Sequence, residues 1–132
     1  MNEILKQIEK FHGHLGPYVV IGYKMGEIAN KKLGYDSFSK KAIIWTGTTP
    51  PLSCIIDGIQ ISSGCTLGKG NITIYSEEIP KVQFTNDNGK CIEVMLKEDI
   101  QKDITTKVTN KNIVSYSEYL FYKSDQELFE IL

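Results

Sequence analysis

The sequence predicts an α+β domain: an α-β-α-β-β-β core with a mixed four-stranded sheet, helices mainly on one face and extra helices at the C-terminus. Three observations carry that prediction. Apolar residues recur at helical spacing before residue 34, a short apolar run at 42–46 reads as a buried strand, and residues 72–96 hold three alternating strand-length segments. The order predicts one parallel crossover followed by antiparallel hairpins.

Each element has a local reason. Ile4, Leu5, Ile8 and Phe11 mark a short amphipathic helix that ends near His12-Gly13-His14. Pro17 suits the first position of a second helix, where its missing N–H costs nothing, and Gly34 suits its end. Gly22 and Gly26 lie four apart, with Ala29 nearby, and predict a smooth face for close approach of another backbone; Lys24, Glu27 and Lys31 exclude a membrane-dimer motif. Ala42-Ile43-Ile44-Trp45-Thr46 is the buried strand, and Pro50-Pro51 breaks the chain before a helix from about Leu52 to Ser63, stopped by Gly64. Residues 72–75, 82–84 and 91–96 alternate as strands, the last two joined across Asn86-Asp87-Asn88-Gly89, a hairpin signal. Cys91 in such a strand reads as core. After Lys97 the chain reads as helical, with capping boxes at Ser115-x-x-Glu118 and Ser124-x-x-Glu127.

A chain of 132 residues is expected to be one domain, 1–132, with a core over about 9–96 and a helical segment over about 97–132. Net charge of −1 gives no field for nucleic acid or an acidic membrane, and no apolar run approaches the ~20 residues of a bilayer span. The first residues lack a signal-peptide layout, so the expected location is cytoplasmic. Three cysteines without scaffold spacing point to free or metal-bound thiols.

Both histidines and two of the cysteines fall in two short motifs, Phe11-His12-Gly13-His14-Leu15-Gly16-Pro17 and Cys54 through Asp57 and Gln60 to Gly64-Cys65-Thr66-Leu67-Gly68-Lys69-Gly70-Asn71. Imidazole and thiolate ligate zinc, iron, nickel or copper, and they also serve as base and nucleophile. The two helices that follow these motifs should run parallel, each packed antiparallel to the strand at 42–46. Their N-termini then share one end of the sheet, and His12, His14 and Cys54 converge. Cys54 in a first helical turn is expected to have its pKa lowered by the macrodipole. Asp57, three residues on, shares its face and is placed to hold a histidine's other ring nitrogen, or to assist catalysis with Cys54. Cys65 lies roughly 15 Å from Cys54 along a helix at ~1.5 Å per residue, so it joins the same ion only from a neighbouring subunit, or serves a second site. Lys69 and Asn71 stand in a glycine-rich loop that could hold an anion or substrate carboxylate, although its spacing is not that of a Walker loop.

His12-Gly-His14-Leu-Gly-Pro17 with Gly22-Tyr23-Lys24-Met25-Gly26, then Cys54-x2-Asp57-Gly-Ile-Gln60 and Gly64-Cys65-Thr-Leu-Gly-Lys69-Gly-Asn71, resembles the FmdE family of formylmethanofuran dehydrogenase. The resemblance covers roughly residues 9–96. It implies the α-β-α-β-β-β core also found in the catalytic domain of glyceraldehyde-3-phosphate dehydrogenase, and an association with the molybdenum or tungsten dehydrogenase of methanogenesis. Two departures stand out. Gly16 occupies the place of a cysteine in the His-Gly-His-Leu-Cys-Pro pattern of many members, and no Cys-x2-Cys of their C-terminal zinc ribbon is present.

Three functions follow as expectations. One is a small homodimeric metal-binding protein with His14, His12 and Cys54 around a transition metal (zinc foremost, nickel or iron also suited), accessory or related to that dehydrogenase. Another is an enzyme using Cys54 as nucleophile or open-site ligand on a small anionic substrate. The third is a structural partner whose site is vestigial.

Overall fold

The computed structural model describes residues 1–132. Six helices and five strands follow in the order α1 (Glu3–His12), α2 (Pro17–Leu33), β1 (Lys40–Ile44), α3 (Cys54–Ser63), β2 (Ile72–Ile74), β3 (Lys81–Asn86), β4 (Cys91–Leu96), α4 (Glu98–Lys107), α5 (Ile113–Tyr122), α6 (Asp125–Leu128) and β5 (Phe129–Ile131), with one helical turn at Leu67–Lys69 before β2. The strands form a mixed sheet in the order β2-β1-β3-β4-β5. Only β1 and β2 pair in parallel, Ala42 opposite Ile72, and the helix between them is α3. The α+β class and core order expected from the sequence hold. No helix is long and apolar enough to cross a membrane.

The sheet has five strands rather than four. β5 adds to the β4 edge, with Phe129 opposite Leu96 and Ile131 opposite Val94. Three residues are too few to show an alternating pattern, so the segment reads as the end of a helix until its tertiary partner is known. The capping boxes divide. Ser124 caps α6 in a complete box with Glu127, whereas Ser115 lies inside α5 and its hydroxyl donates to Asn112 O at 3.0 Å. Cys91 is exposed rather than core, because Ile92, Val94 and Leu96 take the inward face of β4 and leave the other to Cys91.

α2 organises the packing. Val19, Val20, Ile21, Met25 and Ala29 are fully buried, and so are Ile44, Val82, Phe84 and Val94 of the sheet. Its tightest neighbour is α3. A Cβ built on Gly22 would fall on the carbonyl of Ile55, and one on Gly26 would lie 2.9 Å from Ser63 N. Residue numbers rise together along both helices (22 beside 55, 26 beside 63), so α2 and α3 run parallel in contact. The missing side chains are what let the backbones meet. On the opposite sheet face Trp45 and Tyr75 rings lie 6.0 Å apart, with Lys81 Nζ 4.3 Å over the Trp45 ring.

Candidate functional site

The site begins where α1 stops. Gly13 takes the left-handed conformation (φ 96°), and its N–H donates to Glu9 O at 2.8 Å, ending the helix at His12. His14, Leu15 and Gly16 then lead directly into α2, whose first residue is Pro17. The short loop is pinned by Leu15, which is 1% exposed, so His12 and His14 are held beside the α2 N-terminus. α3 brings Cys54 as its first residue and Asp57 in its first turn, where a carboxylate is favoured by the unpaired N–H groups. Parallel packing of α2 and α3 puts both N-termini at one end of the fold.

His12 Nδ1 lies 2.6 Å from Asp57 Oδ2. Asp57 as a carboxylate only accepts, so Nδ1 carries a proton, and in the neutral ring Nε2 presents its lone pair. That Nε2 is buried and has no hydrogen-bond partner, and the His12 side chain is 10% exposed. The His14 ring is 4.7 Å from the His12 ring, and His14 is exposed. Cys54 is half-buried beside them. His12, His14 and Cys54 all line a cleft of about 330 Å³, whose other walls include Tyr18, Val19, Ile104 and Val108. A second hollow of about 340 Å³ borders His12, Cys54, Asp57 and Gln60 from the other side.

The expected lowering of the Cys54 pKa is reversed. Burial pushes the thiol up, the Asp57 carboxylate pushes it further, and Cys54's own backbone N–H offsets only part of this. An acidic residue three positions along the helix opposes the macrodipole on the same face. Metal-free Cys54 is therefore a protonated thiol near neutral pH.

The remaining residues of the second motif sit apart. Cys65 is 0% exposed, beyond the C-terminal end of α3, with burial raising its thiol against the pull of Ser63, Lys40 and Lys69. Lys69 Nζ donates to Gly64 O and Thr66 Oγ1, while Asn71 accepts from Thr66 N at 2.8 Å and donates to Lys40 O at 3.1 Å. Gln60 accepts from Leu67 N at 2.9 Å and reaches Asp57 Oδ1 at 3.4 Å. Lys69 thus spends its donors on the loop and Asn71 ties the loop to the start of β1, and neither lines the cleft. The cleft residues of α4 and of the segment before α5 carry no chemical signal in the sequence. Ile104 and Val108 show only as an apolar step of four on a helix, and Tyr18 only as a buried aromatic after Pro17.

A metal ion makes definite demands on this donor set. A buried, unpartnered Nε2 fixed by a carboxylate on the other ring nitrogen is the arrangement that orients a histidine ligand, and a nearby imidazole and thiol are of the ligand types zinc takes. The side chains do not stand as a closed set of three at ligand distances. The exposed His14 ring lies over Gly16, where a Cβ would come within 2.9 Å of His14 Cε1, so the glycine makes room for that ring. The donor types suit a transition metal, although no three of them stand together as a ligand set.

Fold and site together define a small α+β domain with a His–Asp pair and a cysteine at adjoining helix N-termini. The family model FmdE, described as "FmdE, Molybdenum formylmethanofuran dehydrogenase operon", matches residues 11–130, and the chain belongs to that family. The match takes in the C-terminal helices and the first two residues of β5, beyond the 9–96 span of the motifs. A probable S-adenosyl-L-methionine-binding protein of Archaeoglobus fulgidus is 29% identical over 131 residues, a match covering 98% of this chain and 32% of that protein. The chain thus spans about a third of the length of that relative. Among solved structures, an FmdE-like protein of the tungsten formylmethanofuran dehydrogenase type from Syntrophus aciditrophicus shares the fold with a TM-score of 0.66 at 24% identity, covering 98% of this chain and 69% of that one.

Proposed function

We propose that this protein binds one transition-metal ion, zinc foremost and nickel or iron as alternatives, through His12 Nε2, the Cys54 thiolate and His14. The observation that carries the reading is the buried, partnerless Nε2 of His12, whose opposite nitrogen is held by Asp57. An unsatisfied buried acceptor costs about 1–3 kcal/mol unless something uses it, and a cation does. Cys54 serves as a ligand in this reading: burial and Asp57 raise its pKa, and a bound cation would hold it deprotonated. Bound there, the ion would supply a Lewis-acid centre. The chain's part is to fix the His12 ring through Asp57 and to wall the site with apolar side chains.

Membership of the family supports an accessory role beside the molybdenum or tungsten formylmethanofuran dehydrogenase. A homodimer is part of the proposal, with exposed Tyr119 and Tyr122 of α5 as packing surface. A small-molecule function is the second reading, favoured by the cleft that opens on the same histidines.

Elemental analysis of protein purified reduced, tag-free and without added metal tests the proposal, beside His12→Ala and Cys54→Ala. The expected result is about one metal per chain, lost in both variants and retained in Cys91→Ala. Wild-type protein that stays metal-free after reconstitution would sink it.

A further inference from the structure

The cleft beside the histidines has a chemistry of its own. Its volume of about 330 Å³ equals the liquid share of about eleven water molecules at ~30 Å³ each, and falls in the range of small-ligand sites. Val19, Pro51, Ile104, Val108 and Ile113 supply its apolar walls, contributed by α2, the segment before α3, α4 and the start of α5. No aspartate, glutamate, lysine or arginine lines it. Its polar groups are few and grouped: the two histidines and Cys54, then Tyr18 and Thr105. Burial pushes the Tyr18 phenol up, against Thr105 and Gln101 beside it, so Tyr18 stays an uncharged donor. His12, nine-tenths buried, ends in an unpartnered acceptor.

We infer that the cleft binds a neutral small molecule with an apolar, flat or branched body of about eleven non-hydrogen atoms, sized by that volume, and one donor group at the histidine end. Charge complementarity decides the class. A carboxylate, phosphate or ammonium on the ligand's body would be buried against Ile104, Val108 and Ile113 with no counter-ion to offset its desolvation. A neutral body gains from burial in the same place. The inference rests on the proposed metal site only for the ligand's donor group; the walls are independent of it.

Phenylimidazole is a probe of this size and chemistry. Calorimetric titration at a pH where it is unprotonated would compare it with imidazole itself and with carboxyphenyl-imidazole, on metal-free and zinc-loaded protein. The expected result is phenylimidazole at least about tenfold tighter than imidazole in both forms, with the carboxylate losing that gain. Val108→Trp, at a wall position that is not one of the proposed metal donors, should abolish the phenyl advantage while zinc stoichiometry stays at the wild-type value. Phenylimidazole no tighter than imidazole on the wild type would overturn the inference, as would equal or tighter binding of the carboxylate. Tight binding of S-adenosyl-L-methionine, which is charged, would also overturn it. A phenyl advantage in protein that takes up no zinc would leave the inference standing and remove the metal reading; zinc binding without the advantage would do the reverse.

Discussion

His12 and Asp57, 45 residues apart in the chain, are joined at 2.6 Å between Nδ1 and Oδ2, and this contact ties the end of α1 to the first turn of α3. It fixes one tautomer and one orientation of the ring. The consequence is felt at the other nitrogen, which has no partner in the fold.

Asp57→Asn tests that coupling. An amide can present its NH₂ to Nδ1 and so favour the wrong tautomer, leaving a proton on Nε2 where the ion needs a lone pair. Zinc affinity, read by competition with a chromophoric chelator, should fall by about 10- to 100-fold. Thermal stability of the metal-free protein should change little, since the Asp57 side chain is 38% exposed. Unchanged affinity would mean that Asp57 does not orient a ligand.

Much of this arrangement was legible in the residues, and the limits have physical causes. Pro17, Gly34 and the smooth Gly22/Gly26 face located α2 and a surface for close backbone approach, because such signals act through the local backbone; that the approaching backbone is α3's comes from the fold. The convergence of the histidine loop with Cys54 followed from topology, since two helices joined to one strand by short connections must start at the same end. β5 was not legible, because its strand geometry comes from pairing with β4 rather than from its own three residues. Nor was the place of Lys40, which is fully buried with its Nζ donating to Gly34 O at 2.8 Å and Asp36 O at 3.1 Å. The Cys54 pKa went the other way for a similar reason. Burial is set by the whole fold, whereas the macrodipole is set by position in one helix.

Gly22 and Gly58 carry the α2–α3 contact and make a stability prediction. A Cβ at Gly22 would lie 2.8 Å from Ile55 C and overlap its oxygen; one at Gly58 would lie 2.7 Å from Gly22 C and overlap Val19 O. Backbone atoms have no rotamer by which to yield, so Gly22→Ala and Gly58→Ala should each cost at least about 3 kcal/mol in denaturant unfolding, the upper end of overpacking. Gly68→Ala, with nothing within 4 Å of its Cβ, is the matched control and should change stability by less than about 0.5 kcal/mol. A mild Gly22→Ala would show that the two helices can separate, and with them the two halves of the site.

The thiols should differ in reactivity in an order that the raised Cys54 pKa dictates. Thiolate is the reacting form, and in metal-free protein burial and Asp57 keep the Cys54 thiolate scarce near neutral pH. Iodoacetamide should therefore modify exposed Cys91 first, Cys54 more slowly, and fully buried Cys65 only on unfolding. The sign with pH is fixed: the folded pKa lies above the ordinary thiol range, so the Cys54 rate should keep climbing about tenfold per pH unit beyond ~8.5, where a free cysteine levels off. Asp57→Asn removes the carboxylate's share of the shift and should bring the Cys54 rate up near neutral pH. Zinc should protect Cys54 and leave Cys91 untouched. Mass spectrometry of the alkylated peptides reads all of these, and Cys54 reacting ahead of Cys91 in metal-free protein at neutral pH would return it to the role of an activated nucleophile.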